Sequence, residues 1–498
     1  MHHQRSTSVS NASLDFQDLR LSVSIALDII AEDPTISEAE VCASWCEQQI
    51  VRIQHDTDHP GEAIQAPQLS TTCGVGLTVI LEDRDGRRLG FASEPEDLSP
   101  DGIAQALEQA KSAAEAHSAF GTLPHSVATT PAPPALYDAA TLALQPADMT
   151  GLATEALNGA LATLQDAGYV THLHVRGQVR SRKEHLVIGN THGILTGETT
   201  AALSAALLVR LPHEHSQGSG YSTATHVQDF AAYDAGVDAA RQALEARGGI
   251  RPAAGDYAVV FSPRAMAAFL HDALVPGLSL DTVATNASPF ATAYGQDIAS
   301  PLVTLRDEGY QPGMAGSHAI TGEGLPSGTT PLIERGRLVG FLADTYHAQA
   351  LATHFPGLPG QNGMRYAFHG QSFAMRPGIF PTNLCLTGTD PMTLDTLLAS
   401  VGEGIYIGDL WNTFLHGPRL KGDFSSTVIG PSFQISQGRL AQPLLPGSLS
   451  LHGNVRDVLR EIMGVADTPQ AIVSPTLQSI VLTPAVWCRR GHFVSVVS

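Results

Sequence analysis

His271 and Asp272 are the neighbouring side chains whose types and placement come closest to reactive chemistry in this 498-residue chain. A histidine followed by an acid on a helix is how a metal-dependent hydrolase presents one ligand and its general base. Ser262 and Pro263 supply an N-cap and a first helical residue, and Met266, Phe269, Leu270, Ala273 and Leu274 recur at helical spacing. A second histidine would have to follow four or five residues on, but Val275 and Pro276 stand there. A catalytic zinc normally takes three protein ligands, so His271 alone does not hold one. The expectation is that His271 ends its helix, where a cationic ring complements the dipole.

The other histidine groups read as surface features. His55 and His59 are four apart but flanked by a strand and by Pro60-Gly61, which favours a loop. His172 and His174 have the spacing of one strand face, and His213-Glu214-His215 follows Pro212 as a solvated turn. The last three would be the candidates if the chain were a self-sufficient hydrolase. Gly218-Ser219-Gly220 and Gly316-Ser317-His318 are too short to indicate a serine nucleophile, and no G-x-S-x-G, Walker A or G-x-G-x-x-G motif is present. Five scattered cysteines read as small buried hydrophobes in a reducing compartment.

The formal charge is −20, with 48 acids against 28 bases, and no basic patch, so nucleic acid is not an expected partner. No apolar run approaches the length of a membrane span, and no signal sequence is visible, so a cytoplasmic protein without membrane contact is expected.

The elements that must position these residues fall into two blocks. Residues 1–20 are polar and expected to be disordered; residues 21–30 and 38–49 read as helical. Residues 74–82 and 88–92 form a strand pair around Asp85-Gly86, and Ser99-Pro100 opens a helix over 101–117. Residues 146–168 and 230–246 are helical, with strands expected at 169–179, 184–190 and 198–211. Residues 247–255, rich in Gly, Pro and Arg, are the boundary between a mixed helix/sheet domain (21–250) and a second domain (255–498). Beyond it, short β-runs punctuated by Gly and Pro predict a curved sheet or barrel with flanking helices near 344–354, 392–401 and 455–463. The fold class is α+β.

Several segments in order give this chain a likeness to a known family. They include 255–263 leading into the His271 helix, 298–309, 321–326, 331–348, 381–388, 402–407, 422–425, and Gly453-Asn454-Val455. In the first block, 74–92 and the Asn190-Thr191-His192-Gly193 turn also fit. In this the chain resembles the TldD/PmbA (TldD/TldE, modulator of DNA gyrase) family.

The resemblance implies a zinc-peptidase helix reading H-E-x-x-x-H, with a cysteine from the C-terminal region as third ligand. Here His271 matches the first histidine, Asp272 replaces the glutamate, and Pro276 replaces the second histidine. Residues 465–475 contain no cysteine, and Cys488 lies past the expected place. The resemblance is therefore to the TldE/PmbA-type branch, which lacks these ligands. It implies a non-catalytic subunit of a zinc peptidase acting on unfolded peptides, with no metal in this chain and zinc only in a TldD-like partner. A homodimer that binds peptides without hydrolysis is the alternative. Asp409, Trp411, Asn412, Gly422, Asp423 and Phe424 are the residues expected to line a peptide groove, with core packing the plainer reading of Trp411 and Phe424.

Overall fold

The computed structural model describes residues 14–59, 61–83, 86–117, 121–126, 136–367, 370–417, 421–473 and 479–495. The tip of the first hairpin, at Arg84-Asp85, lies outside them, as does most of the segment expected to be disordered.

The first helix, α1 (Phe16–Ala31), begins earlier than its apolar pattern suggests. Asp15 caps it, and Asp18 reaches back to the Asp15 amide, so the helix includes residues expected to be disordered. Strand β1 (Ile36–Asp56) then runs for 21 residues, including the stretch expected to be helical. Glu, Ala and Gln favour helices only weakly, and tertiary burial overrides that preference here. β1 is the central strand, covered on both faces, and its Glu38 and Glu40 are buried against arginines.

β2 (Gln68–Asp83) and β3 (Gly86–Pro95) form the expected hairpin. Ser99 caps α2 (Pro100–Ser112), followed by the short β4 (Glu115–Ala116). After α3 (Ala139–Leu142) and α4 (Pro146–Asp166) comes β5 (His174–Asn190), one strand where two were expected. It pairs with β6 (Leu195–Leu211), then β7 (Ser216–Ala224), and α5 (Ala232–Glu245) closes the block. The result is a seven-stranded sheet in the order β4-β3-β2-β1-β5-β6-β7. α1 and α2 cover one end of one face and α4 and α5 the other, making two apolar cores.

The remaining sheets draw only on residues from 255 onward. β8 (Gly255–Phe261) lies inside a nine-stranded sheet that curls as a half-barrel, consistent with the expected α+β class. A six-stranded sheet packs with it around the largest core in the chain. Helices at Thr345–Ala350 and Val455–Arg460 are shorter than their patterns suggest; after the latter the chain turns at once into a strand, Ile462–Val465. No helix among the described residues is long and apolar enough to cross a membrane.

Candidate functional site

The helix that carries His271 starts as its sequence requires. Ser262 Oγ accepts from the Ala265 amide at 3.1 Å and donates to the Gly408 carbonyl at 2.6 Å. One hydroxyl thus caps α6 (Pro263–Ala268) and fastens it to the strand Asp409–Leu415. The helix does not end at His271. It widens into a π-turn over Phe269–Leu274 and tightens into a 3₁₀ turn over Val275–Leu278. The expected helix-terminal role is therefore corrected: His271 sits inside the π-turn, with Nδ1 2.7 Å from Asp272 Oδ1. A π-turn brings residues five apart back toward one face, which an α-helix does not. His271 lies in this π-turn, whereas Pro276, the second position of an H-x₄-H pair, lies in the 3₁₀ turn that follows.

His271 and Asp272 line a cavity of about 520 Å³ between the two halves of the chain. Gln178 and Arg180 of β5, Ser204–Ala206 of β6 and Tyr221 of β7 form one wall. Asp409–Thr413 and the hydrophobic Ile472, Val473 and Val481 complete it. A bulge between Trp411 and Phe414, with Asn412 in the left-handed region (φ 53°), turns this stretch toward the cavity. Trp411 is 59% exposed, so it is a surface ring and not the core residue that its type suggested.

The other groove candidates lie elsewhere. Phe424 is buried and packs on Phe269, with ring centroids 5.4 Å apart. Gly422 takes φ 74°, and Asp423 accepts from Asn454 Nδ2 at 2.8 Å. Pro276 is absent from the cavity wall, and its carbonyl accepts from Thr282 Oγ1 at 2.6 Å.

Three sheets end at this cavity. β7 is an edge of the seven-stranded sheet, Asp409–Leu415 of the nine-stranded sheet, and Gln470–Val473 of the six-stranded sheet. Tyr221, Trp411 and Val473 come from these three edges. Gly220 belongs to the packing of β7: a Cβ there would stand 1.7 Å from the Ala235 carbonyl oxygen of α5. Ser219 holds Arg264, which donates to its carbonyl at 2.7 Å and its hydroxyl at 2.8 Å. The Arg264 guanidinium lies 4.5 Å over the Tyr221 ring. Burial raises the Asp409 carboxyl above its ordinary value, and nearby Arg264 opposes that shift.

The residues from β5, β6 and β7 escaped the reading of the sequence. The available signal was Gln178-Val179-Arg180-Ser181-Arg182, where polar side chains recur at period two on a face that should meet solvent if the sheet stood alone.

The cavity does not bring together a zinc ligand set. Its wall contains, among the described residues, one histidine, no cysteine, and two carboxylates, Asp272 and Asp409. Among the described residues, the one group of three donors within 4.8 Å of one another is elsewhere: Asp56, Asp58 and His174. The neighbouring His172 is in the left-handed region (φ 53°), so it precedes the strand and does not share a strand face with His174. It pairs with Asp58 at 2.9 Å and lies against the His213 ring. Glu214 accepts from the Tyr169 hydroxyl at 3.0 Å, and His215 terminates a 3₁₀ turn. Ser317 donates to the Gln311 carbonyl, while His318 pairs with Glu198 at 2.6 Å, so these two neighbours form no nucleophile–base pair.

Comparison with known proteins agrees with this architecture. Residues 254–492 match the model of the PmbA/TldA metallopeptidase C-terminal domain. The chain is 28% identical over 304 residues to a metalloprotease TldD homologue from Haemophilus influenzae, covering 59% of this chain and 60% of that protein. It is 29% identical over 212 residues to a metalloprotease from Synechocystis, covering 42% of each. The matched part thus spans less than two thirds of the length of these relatives. The crystal structure of TldE from Thermococcus kodakarensis superposes with a TM-score of 0.78 at 17% identity, covering 94% of this chain and all of that one, a likeness of fold. The chain belongs to the TldD/PmbA family.

Proposed function

We propose that this chain is a non-catalytic, TldE/PmbA-like subunit that holds an extended peptide in the cavity beside His271, while a zinc-bearing TldD-like partner performs the hydrolysis. The carrying observation is a cavity where three sheet edges meet around His271 and where, among the described residues, no second histidine and no cysteine lines the wall. An edge strand offers free N–H and C=O groups, and a peptide can satisfy them as an added strand. Recognition of this kind reads backbone, which suits unfolded chains of varied sequence. The acidic chain and the absence of a basic patch favour a protein or peptide partner over nucleic acid, and the cytoplasm is the proposed compartment.

Two measurements test this reading. Zinc content is measured on the purified chain and on a His174→Ala variant, so that metal held at Asp56, Asp58 and His174 is not counted toward the cavity. One equivalent of zinc retained in the variant would overturn the non-catalytic assignment and favour a self-sufficient hydrolase. Peptidase activity is then measured for the TldD-like partner with and without this chain. The expected result is activity that requires the pair. Recovery of this chain only as a homodimer from a lysate containing the zinc protein would instead support the peptide-binding homodimer.

A further inference from the structure

We infer that Arg180 is a carboxylate anchor, so that the cavity selects extended peptides presenting a carboxyl group to β5. This inference rests on the peptide-holding reading above. Among the described residues, the Arg180 side chain forms no ion pair or hydrogen bond, and its Nε is fully buried without a partner. The other charges on the cavity wall have partners: Asp272 with His271, and Arg264 with Ser219, Tyr221 and the neighbouring Asp409. Among the described residues of the wall, Arg180 is therefore the charge left unsatisfied.

Its surroundings add to the demand for an anion. Burial, and secondarily the Arg182 cation two residues along the same strand face, lower the Arg180 pKa. The Glu184 carboxylate is engaged by Arg182 at 3.1 Å and forms no ion pair with Arg180. A partly desolvated guanidinium is costly unless it meets an acceptor, and its fork geometry suits a carboxylate with two parallel N–H···O bonds. The rest of the wall accepts an uncharged, strand-like chain: the exposed ring of Trp411, the apolar Leu410 and Val473, and the edge backbones. An extended peptide with one carboxylate satisfies both features. That carboxylate is the C-terminus or the side chain of an Asp or Glu.

The test uses the full chain and three labelled, unstructured peptides of equal length, with binding followed by fluorescence anisotropy. One peptide has a free C-terminus and no side-chain acid; one is amidated and neutral; one is amidated with a single internal Glu. We expect at least one carboxylate peptide to bind about ten-fold or more tightly than the neutral one, and which one identifies the source. Arg180→Gln should reduce that affinity to the neutral peptide's level and leave the neutral peptide unchanged, while Arg180→Lys should retain part of the preference. Equal affinities for all three peptides in the wild-type chain, or a preference that survives Arg180→Gln, would overturn the inference and leave peptide binding intact. Failure of every peptide to bind would overturn both readings.

Discussion

Arg365 reaches from the C-terminal half to Glu40 near the start of β1, and both side chains are almost wholly excluded from water (1% and 3% exposed). The guanidinium also donates from Nε to the Gly322 carbonyl and from Nη1 to the Met375 carbonyl, each at 2.6 Å. A charge is thus buried at the joint between the two halves with its donors matched by acceptors. Along the sheet this pair is separate from the cavity: Glu40 stands opposite Asn190, whereas Arg180 stands ten residues along, opposite Ile50.

Removing one partner of that pair should be severe. Glu40→Ala leaves a buried guanidinium without its counter-ion, and a loss of about 3–5 kcal/mol is expected. Arg365→Met should cost a similar amount, and the double variant should lose distinctly less than the sum. Urea unfolding of the four proteins measures the coupling; additive losses would show that the two residues act independently.

Glu323 gives stability a specific pH dependence. Burial, then the neighbouring Asp344 carboxylate, push its carboxyl up from 4.5 to about 8. The folded chain therefore holds this proton more tightly than the unfolded chain. The contribution is fully present below about pH 4.5 and is lost as pH rises through about 8. Within that window the slope should approach 1.4 kcal/mol per pH unit. Glu323→Gln should flatten it, as read from urea midpoints between pH 5 and 8; an unchanged slope would exclude Glu323 as its source.

Trp411 and Phe424 were grouped by sequence and should separate by measurement. Phe424→Ala empties a position that is 1% exposed and should cost about 3–5 kcal/mol of stability. Trp411→Ala removes an exposed ring and should change stability by no more than about 0.5 kcal/mol, while weakening binding of the unstructured peptides. Thermal unfolding and anisotropy on the two variants decide this; equal stability losses would mean that Trp411 is a packing residue.

The cysteines should be inert in the native chain. All five are buried, and burial pushes the thiols up, Cys42 to about 11 and Cys385 to about 12. A thiol reagent at pH 8 should modify essentially none of them before unfolding and all five in guanidinium. Rapid native modification of even one would point to an accessible, activated thiol.

The legible parts of the fold were those governed by local pattern. Ser99-Pro100 and Ser262-Pro263 marked helix starts because caps and first-turn prolines act within a few residues. The β2–β3 hairpin was readable because alternation and a Gly turn are adjacent in the chain. β1 was not readable, since its Glu-, Ala- and Gln-rich residues take strand geometry only when two neighbouring strands and two covered faces surround them. His271 was located correctly but assigned to a helix end, because the π-turn depends on packing that places Phe269 against Phe261 and Phe424.

Sequence alone determined that His271-Asp272 lacks a second histidine at 276, because residue identity settles which donors exist. Tertiary structure decided what surrounds that pair. Arg180, Tyr221, Trp411 and Val473 are distant in sequence and meet only when three sheets bring their edges to one cavity. Strand pairing and the joint between the two halves are long-range, so no local pattern encodes which charge is left without a partner. That charge is Arg180, and its neighbours on β5 are ordinary strand residues until the C-terminal half covers them.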